Sequence, residues 1–187
     1  MHDNRTKSIL ESLQQGQISV DDALLQLKLE PFQDLGYAKV DHHRRLRQGV
    51  PEVIYGAGKT PEQMVGIVSA MEEAGQETVL ITRLSPEAAE IVGKTHPLTY
   101  HEMGRIATVG PLPEPDGLGT IVIATVGTSD VPVAEEAAVT AQALGNRVRR
   151  LYDVGVAGVH RLLANLEYIM DASVIIAIAG MEGALAS

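Results

Sequence analysis

Two short segments in the last third of the chain carry side chains suited to holding a nucleotide. The first, Gly127-Thr128-Ser129-Asp130, follows an apolar run and precedes Pro132, which the first turn of a helix accommodates. Backbone N–H groups at a helix start are unpaired and attract anions, phosphate above all, and Thr128 and Ser129 would add hydroxyl donors. Asp130 would accept a hydrogen bond from a ribose hydroxyl or cap the helix itself. The same turn is typical of an ordinary helix N-terminus, so both interpretations stay open.

The second group of candidates consists of Asp153, His160, Arg161 and Glu182. Asp153 ends a predicted strand, and His160 and Arg161 lie near the start of the next predicted helix. The carboxyl ends of strands are where open parallel sheets bind ligands. Glu182 stands between two glycines after the last apolar run, a position suited to an acid, a base or a metal ligand. Taken alone, His160 equally fits a packed histidine, and Asp153 is ambiguous.

A cationic cluster, His42-His43-Arg44-Arg45-Leu46-Arg47, interrupts an otherwise acidic sequence. Neighbouring histidines point to opposite faces of a strand, or about 100° apart on a helix, so they chelate a single metal poorly. Arginines clasp phosphates and carboxylates with two parallel hydrogen bonds. The cluster therefore fits an anion site, a solvated face or a set of salt bridges.

A second glycine-rich turn, Gly56-Ala57-Gly58-Lys59-Thr60, follows a short predicted strand. Its spacing differs from the Walker pattern, which places four residues between the first glycine and the Gly-Lys pair, and this excludes an ATPase of that class. Lys59 would still meet an anion at the end of the strand.

Composition limits the classes of protein that the sequence can encode. The 187 residues carry a formal net charge of −9, which argues against nonspecific nucleic-acid binding. The sequence contains no cysteine, which excludes disulfides, cysteine metal sites and a thiol nucleophile within it. Aromatic residues make up only 3%, so the core must consist of aliphatic residues, which favours parallel α/β packing. A polar N-terminus and the lack of a membrane-length apolar run predict a cytoplasmic protein with no membrane partner.

The pattern of apolar and turn residues predicts three segments. Residues 1–34 form a helical hairpin in which Gly16 ends the first helix and Ser19 caps the second. Residues 35–110 form a small α/β domain, and a segment rich in proline and glycine separates it from a second domain over 118–187. Helices are predicted over 61–74, 85–92, 133–144 and 159–170, and strands over 35–41, 78–82, 106–109, 121–126, 148–154 and 172–179. A further short strand is predicted within 51–60, where it runs into a glycine-rich turn. The second domain thus has about three strands, fewer than a usual sheet, and we expect a truncated sequence.

Several of these segments together resemble the LarB-type enzymes. These enzymes begin the synthesis of the nickel-pincer nucleotide cofactor and are related to the aminoimidazole ribonucleotide carboxylases of purine synthesis. The resemblance covers nearly the whole chain, and the segments that carry it are 38–44, 51–60, 127–130, 153–161 and 180–183.

The sequence departs from the purine carboxylases at two motifs. Their phosphate turn, of the type Gly-Ser-x-Ser-Asp, is similar to Gly127-Thr128-Ser129-Asp130. Of their Ser-Ala-His-Arg motif only His160 and Arg161 remain, and their later glycine-rich motif contains a histidine where this chain has Ala184, with Glu182 nearby. These departures favour the pincer-cofactor branch.

The resemblance implies an α/β fold, with a small N-terminal α/β domain and a truncated flavodoxin-like, carboxylase-type parallel-sheet domain. It implies that the pyridinium ring of nicotinate adenine dinucleotide is carboxylated with CO2 and that its phosphoanhydride is hydrolysed. The products are pyridinium-3,5-biscarboxylate mononucleotide and AMP. The family uses a cysteine nucleophile in its C-terminal part, which this sequence lacks.

The resemblance also implies roles for the candidate residues. Phosphate would be held by Gly127, Thr128 and Ser129, and ribose would be contacted by Asp130. Phosphate or carboxylate would be bound by His160 and Arg161. Glu182 and Asp153 would take the ring proton or bind Mg²⁺, with His160 as a further catalytic candidate. A homo-oligomer is expected for the full-length protein. The alternatives are a non-catalytic nucleotide-binding module and an aminoimidazole ribonucleotide carboxylase or mutase.

Overall fold

The computed structural model describes residues 2–29, 32–41, 44, 48–180 and 183–186. Glu182 and all of the cationic cluster except Arg44 lie outside these residues. The predicted roles of Glu182 and of the cluster therefore stay predictions. Helices and strands are numbered below in chain order, each with its observed bounds.

The chain divides into two compact units. The first comprises Met1–Glu52 and Gly66–Gln76, and the second comprises Val53–Val65 and Glu77–Ser187. The division runs through one helix, whose first turn belongs to the second unit and whose later turns belong to the first.

The first unit contains a helical hairpin and a small β-hairpin. Its elements are α1 (His2–Gln14), α2 (Val20–Leu29), β1 (Phe32–Asp34) and β2 (Lys39–Asp41), with β1 and β2 antiparallel. The predicted cap is confirmed, because the Asp22 N–H donates to Ser19 Oγ over 3.0 Å. The predicted strand over 35–41 is wrong in its first half, because residues 35–38 form the turn between β1 and β2. The Leu35 N–H closes this turn by donating to the Ala38 carbonyl at 2.8 Å.

The second unit begins with a four-stranded mixed sheet. Its elements are β3 (Val53–Tyr55), the first turn of α3 (Pro61–Glu73), β4 (Val79–Thr82), α4 (Pro86–Gly93), β5 (Leu98–His101) and β6 (Ile106–Val109). The strand order is β3-β4-β6-β5, in which only β3 and β4 are parallel. We call this the mixed sheet. The predicted β-α-β-α order over 50–93 is confirmed, whereas β5 was not predicted because its four residues are too few to show a clear period.

A three-stranded parallel sheet follows after residues 111–119, which form neither helix nor strand. Its elements are β7 (Thr120–Thr125), α5 (Val131–Ala143), β8 (Arg147–Leu151), α6 (Val159–Leu163), α7 (Leu166–Met170) and β9 (Val174–Ile178). The order is β8-β7-β9 with both pairs parallel, which confirms the α/β fold class. We call this the parallel sheet.

Two predicted bounds in this region are wrong. Strand β8 ends at Leu151 rather than near Val154, because Asp153 adopts a left-handed backbone with φ of 57° that a strand does not contain. The helix predicted over 159–170 is broken at Asn165, where the Asn165 N–H donates to the Leu162 carbonyl and the helical ladder restarts.

Helix α5 contributes to the cores on both sheets. Val139 and Ala143 pack with Leu80 and Ile106 of the mixed sheet. Ala134 and Ala138 pack with Ile123 at the centre of the parallel sheet. Small side chains on α5 allow this close approach, which agrees with the aliphatic core expected from the low aromatic content.

None of the helices in the part of the chain that the structure describes is long and apolar enough to cross a membrane.

Candidate nucleotide site at the carboxyl edge of the parallel sheet

The turn between β7 and α5 is closed by its own last residue. The Gly127 N–H donates to Asp130 Oδ2 over 3.1 Å, and the Asp130 N–H donates to the Gly127 carbonyl over 3.2 Å. Asp130 thus fixes the turn, and a ribose contact would use the acceptor capacity that its carboxylate retains. Thr128 and Ser129 are exposed at the tip, where both hydroxyls can reach a ligand.

The start of α5 is open to an anion. No side-chain hydrogen bond caps this helix at Asp130, and Pro132 in its first turn has no N–H to satisfy. A Cβ atom placed on Gly127 would meet nothing within 4 Å, so the space beside the turn is free of the described atoms. The helix start and the two hydroxyls together suit a phosphate group.

The neighbouring strand end is tied to β7 by three hydrogen bonds. The Asp153 N–H donates to Thr125 Oγ1 over 3.0 Å, and the Val154 N–H donates to the Thr125 carbonyl over 2.9 Å. The Gly155 N–H donates to the Val126 carbonyl over 3.1 Å. A Cβ atom on Gly155 would lie 2.7 Å from that carbonyl oxygen, so only glycine permits this approach. These bonds place Asp153 beside the turn that begins at Gly127.

Arg161 and Asp153, which sequence analysis selected separately, form an ion pair. Arg161 Nη1 donates to Asp153 Oδ2, and both side chains remain about half exposed. The guanidinium lies against Gly158, where a Cβ atom would come within 2.8 Å of Nε. The pair holds a planar cation with further N–H donors at the carboxyl edge of the sheet, which is the geometry that phosphate and carboxylate recognition uses.

His160 and Glu182 are the remaining candidates at this edge. His160 lies exposed in the first turn of α6, next to Arg161, as predicted. Strand β9 ends at Ile178, whose carbonyl accepts from the Val126 N–H over 3.2 Å, so the segment that leads to Glu182 leaves the same edge. Glu182 itself lies outside the described residues.

A polar network behind this edge was missed by sequence analysis. Tyr152 donates its hydroxyl to Glu135 Oε1 over 2.7 Å, and Arg150 donates to both oxygens of Glu135 over 3.2–3.3 Å. Burial and the hydrogen bond to Glu135 raise the pKa of the Tyr152 phenol well above its ordinary value. The network fixes the end of β8 to α5 and so positions the residue that follows, Asp153.

The missed residues left different signals in the sequence. Thr125 is a polar residue at the end of an apolar strand and is fully buried, a combination that indicates a structural hydrogen bond. No sequence pattern could have connected Glu135 with Arg150 and Tyr152. They are separated along the chain, and charged residues such as Glu135 and Arg150 are typical of a solvated surface.

The magnesium site predicted from the sequence lies partly outside the described residues, because Glu182 is one of its two proposed ligands. The described residues contain no group of three or more His, Asp or Glu side chains able to hold a metal ion, and Asp153 already faces Arg161. Magnesium is usually held by carboxylates together with substrate phosphates. The predicted pairing of Asp153 with Glu182 around Mg²⁺ stays a prediction.

Comparison with known proteins gives two matches. A family model described as the LarB/PurE-like N-terminal domain matches residues 32–111. An uncharacterized protein of Methanocaldococcus jannaschii is 34% identical over 190 residues, an alignment that covers 97% of this chain and 74% of that protein. The likeness therefore extends beyond the matched domain into the parallel sheet and its carboxyl edge.

Proposed function

The chain belongs to the LarB/PurE-like family, whose members are of the carboxylase type, and from that premise we propose that it acts on nicotinate adenine dinucleotide. The proposed reaction is carboxylation of the pyridinium ring with CO2 together with hydrolysis of the phosphoanhydride. The products are pyridinium-3,5-biscarboxylate mononucleotide and AMP, in the synthesis of the nickel-pincer cofactor.

One observation carries the proposal: two anion-binding features lie side by side at one sheet edge. The uncapped start of α5 with Thr128 and Ser129 suits the phosphate of the mononucleotide half. The Asp153–Arg161 pair on the adjacent strand end suits the ring carboxylate or a second phosphate oxygen. A nicotinate mononucleotide carries both kinds of anion, a short distance apart.

The ring chemistry sets what the remaining residues must do. A pyridinium ring is electron-poor, so a nucleophile must add to it before a ring carbon can attack CO2. The ring carbon then loses its proton and the nucleophile departs, so that the net change is a carboxylate in place of hydrogen and one released proton. The proposal gives Asp153, Glu182 or His160 the task of accepting that proton. Since the 187 residues include no cysteine, the nucleophile is not assigned to any residue of this chain.

The first test combines nucleotide binding with product analysis. The protein is incubated with nicotinate adenine dinucleotide, Mg²⁺ and bicarbonate, and AMP and a mass gain of one CO2 are sought by mass spectrometry. Both products together support the proposal. Tight binding of the dinucleotide without either product supports the alternative of a nucleotide-binding module, which the lack of cysteine favours. Carboxylation of aminoimidazole ribonucleotide instead overturns the proposal in favour of a purine carboxylase.

The role proposed for Glu182 is tested by Glu182→Gln. We expect carboxylation to fall at least a hundredfold, because general acid–base groups contribute about 10²–10⁴ in rate, while nucleotide affinity is kept. Calorimetric titration measures the affinity and the product assay measures the rate. Equal loss of affinity and rate would contradict a catalytic role for this carboxylate.

A further inference from the structure

The glycine-rich turn after β3 is not used by the site described above. Gly56 is buried, and a Cβ atom there would lie 2.8 Å from the Thr82 carbonyl oxygen, so β3 leaves the sheet in close contact with β4. The Lys59 N–H donates to the Gly56 carbonyl over 3.0 Å, with Gly58 in a left-handed backbone. The turn therefore brings Lys59 to the carboxyl end of β3.

The helix start beside this turn is not the anion-binding element. The Thr60 N–H donates to Gln63 Oε1 over 3.0 Å, and the Gln63 N–H donates to Thr60 Oγ1 over 3.3 Å. This reciprocal cap satisfies the first turn of α3. The Lys59 ammonium is what remains to meet an anion at this edge.

Arg83 follows the adjacent strand in an unusual conformation. Its φ of 54° lies in the left-handed region, which an L-residue adopts at a cost that a glycine would avoid. Its Nε donates to Glu136 Oε1 over 3.0 Å, while the side chain stays 55% exposed. Since only Nε takes part in this contact, the terminal amino groups of an oriented guanidinium remain accessible.

Tyr55 completes this edge of the mixed sheet. It is the last residue of β3, is paired with Thr82 just before Arg83, and is 59% exposed. An exposed tyrosine ring offers a stacking surface for a nucleobase. Lys59, Arg83 and Tyr55 thus lie at the ends of two neighbouring parallel strands, the usual place for a nucleotide in a parallel sheet.

The same helix, α5, links this edge to the turn at Gly127. Arg83 contacts Glu136, five residues after the helix start at Val131, and this corresponds to about 8 Å along the helix axis. Gly104, beside Arg105 at the same end of the mixed sheet, packs so closely on α5 that a Cβ atom would lie 2.9 Å from the Glu136 backbone nitrogen. The carboxyl ends of β3–β4 and of β7–β8 therefore both lie beside the first half of α5.

We infer that Tyr55, Lys59 and Arg83 form a second nucleotide subsite, which takes the adenylate half of a dinucleotide whose mononucleotide half lies at Gly127–Asp130. Lys59 and Arg83 neutralise the adenylate phosphate, and Tyr55 stacks on the base. This subsite rests on the proposed function, since it assigns the second half of the same substrate.

The test compares three nucleotides by calorimetry: nicotinate adenine dinucleotide, nicotinate mononucleotide and AMP. Lys59→Gln and Arg83→Asn should each weaken the dinucleotide and AMP roughly tenfold or more, the usual worth of a hydrogen bond to a charged group, and leave the mononucleotide unchanged. Asparagine is chosen at position 83 because it tolerates a left-handed backbone. Tyr55→Ala should behave likewise, whereas Tyr55→Phe keeps the ring and should bind as the unaltered protein does. Lys94→Gln and Arg147→Gln, both remote from this edge, are the matched controls, and thermal unfolding verifies that each variant is folded.

The outcomes separate the subsite from the proposed function. The subsite is overturned if the unaltered protein binds the dinucleotide and the mononucleotide with equal affinity and the three substitutions have no effect. The proposed function would remain in that case. Equal weakening of all three nucleotides also overturns it, because the residues would then act through the fold. If the unaltered protein binds none of the three nucleotides, the proposed function fails together with the subsite.

Discussion

At the scale of single residues, the site depends on one strained position. Asp153 has a left-handed backbone, which L-residues adopt at some cost, and its carboxylate pairs with Arg161. A glycine would relieve the strain but would leave Arg161 without its partner. Strain of this kind persists where the surroundings enforce it. Here the Asp153 N–H donates to Thr125 Oγ1, and the Tyr152 network holds the preceding residue.

Arg161→Gln tests the guanidinium as an anion ligand. Removing a charged donor that faces phosphate or carboxylate should weaken nicotinate mononucleotide by about tenfold or more. Stability should change little, since the ion pair with Asp153 is half exposed. Titration calorimetry measures the affinity, and Arg147→Gln at the opposite end of β8 serves as the control. Unchanged affinity in Arg161→Gln would remove this residue from the site.

Thr125→Val tests the bond that sets Asp153. Valine keeps the shape of the buried side chain but removes the acceptor of the Asp153 N–H, which should cost about 1–3 kcal/mol of unfolding free energy. Thr125→Ser retains the hydroxyl and should keep the Asp153 amide protected. Urea unfolding and hydrogen exchange at Asp153 are the measurements, and identical exchange in both variants would mean that the hydroxyl does not hold this loop.

At the scale of elements, periodicity predicted the helices and strands whose bounds are set by their own residues. β7 was predicted over 121–126 and observed over Thr120–Thr125, and α5 was predicted over 133–144 and observed over Val131–Ala143. Both have long, uniform patterns with Pro132 and Gly145 as end signals. The strand β5 and the break at Asn165 were missed, because segments of only four or five residues show no clear period.

The link between β8 and α5 through Tyr152 predicts a pH dependence. The pKa of this phenol is raised in the folded protein by burial and by Glu135, so the neutral form is stabilised on folding. That contribution is fully present below the unfolded pKa of about 10 and is lost as the pH rises toward the higher folded value. Tyr152→Phe should therefore lose stability relative to the unaltered protein near pH 8, and the difference should shrink above pH 10. Urea unfolding from pH 7 to 11 measures it, and a constant difference would mean that the phenol proton plays no part.

At the scale of the second unit, the two edges proposed to bind anions share one structural support, helix α5. The placement of the candidate residues Gly127–Asp130 and Arg161 at one edge could be predicted from type and order alone, because strand ends in a parallel sheet meet at one edge. The relation of this edge to Arg83 was not predictable, since it depends on α5 packing on the mixed sheet as well.

Helix α5 should make the two sheets of the second unit unfold together. Leu80→Ala removes a buried side chain where the mixed sheet packs with Val139 of α5, at a cost of about 2–5 kcal/mol. Because Ala134 and Ala138 of the same helix pack on Ile123, the loss should also speed hydrogen exchange in β7. Exchange measured by mass spectrometry, with Leu112→Ala at an exposed position as the control, decides this. Unchanged protection of β7 would mean that the two sheets open separately. In that case only a dinucleotide bound across both edges could couple the opening of the sheets, and β4 and β7 would be protected together only when the dinucleotide is present.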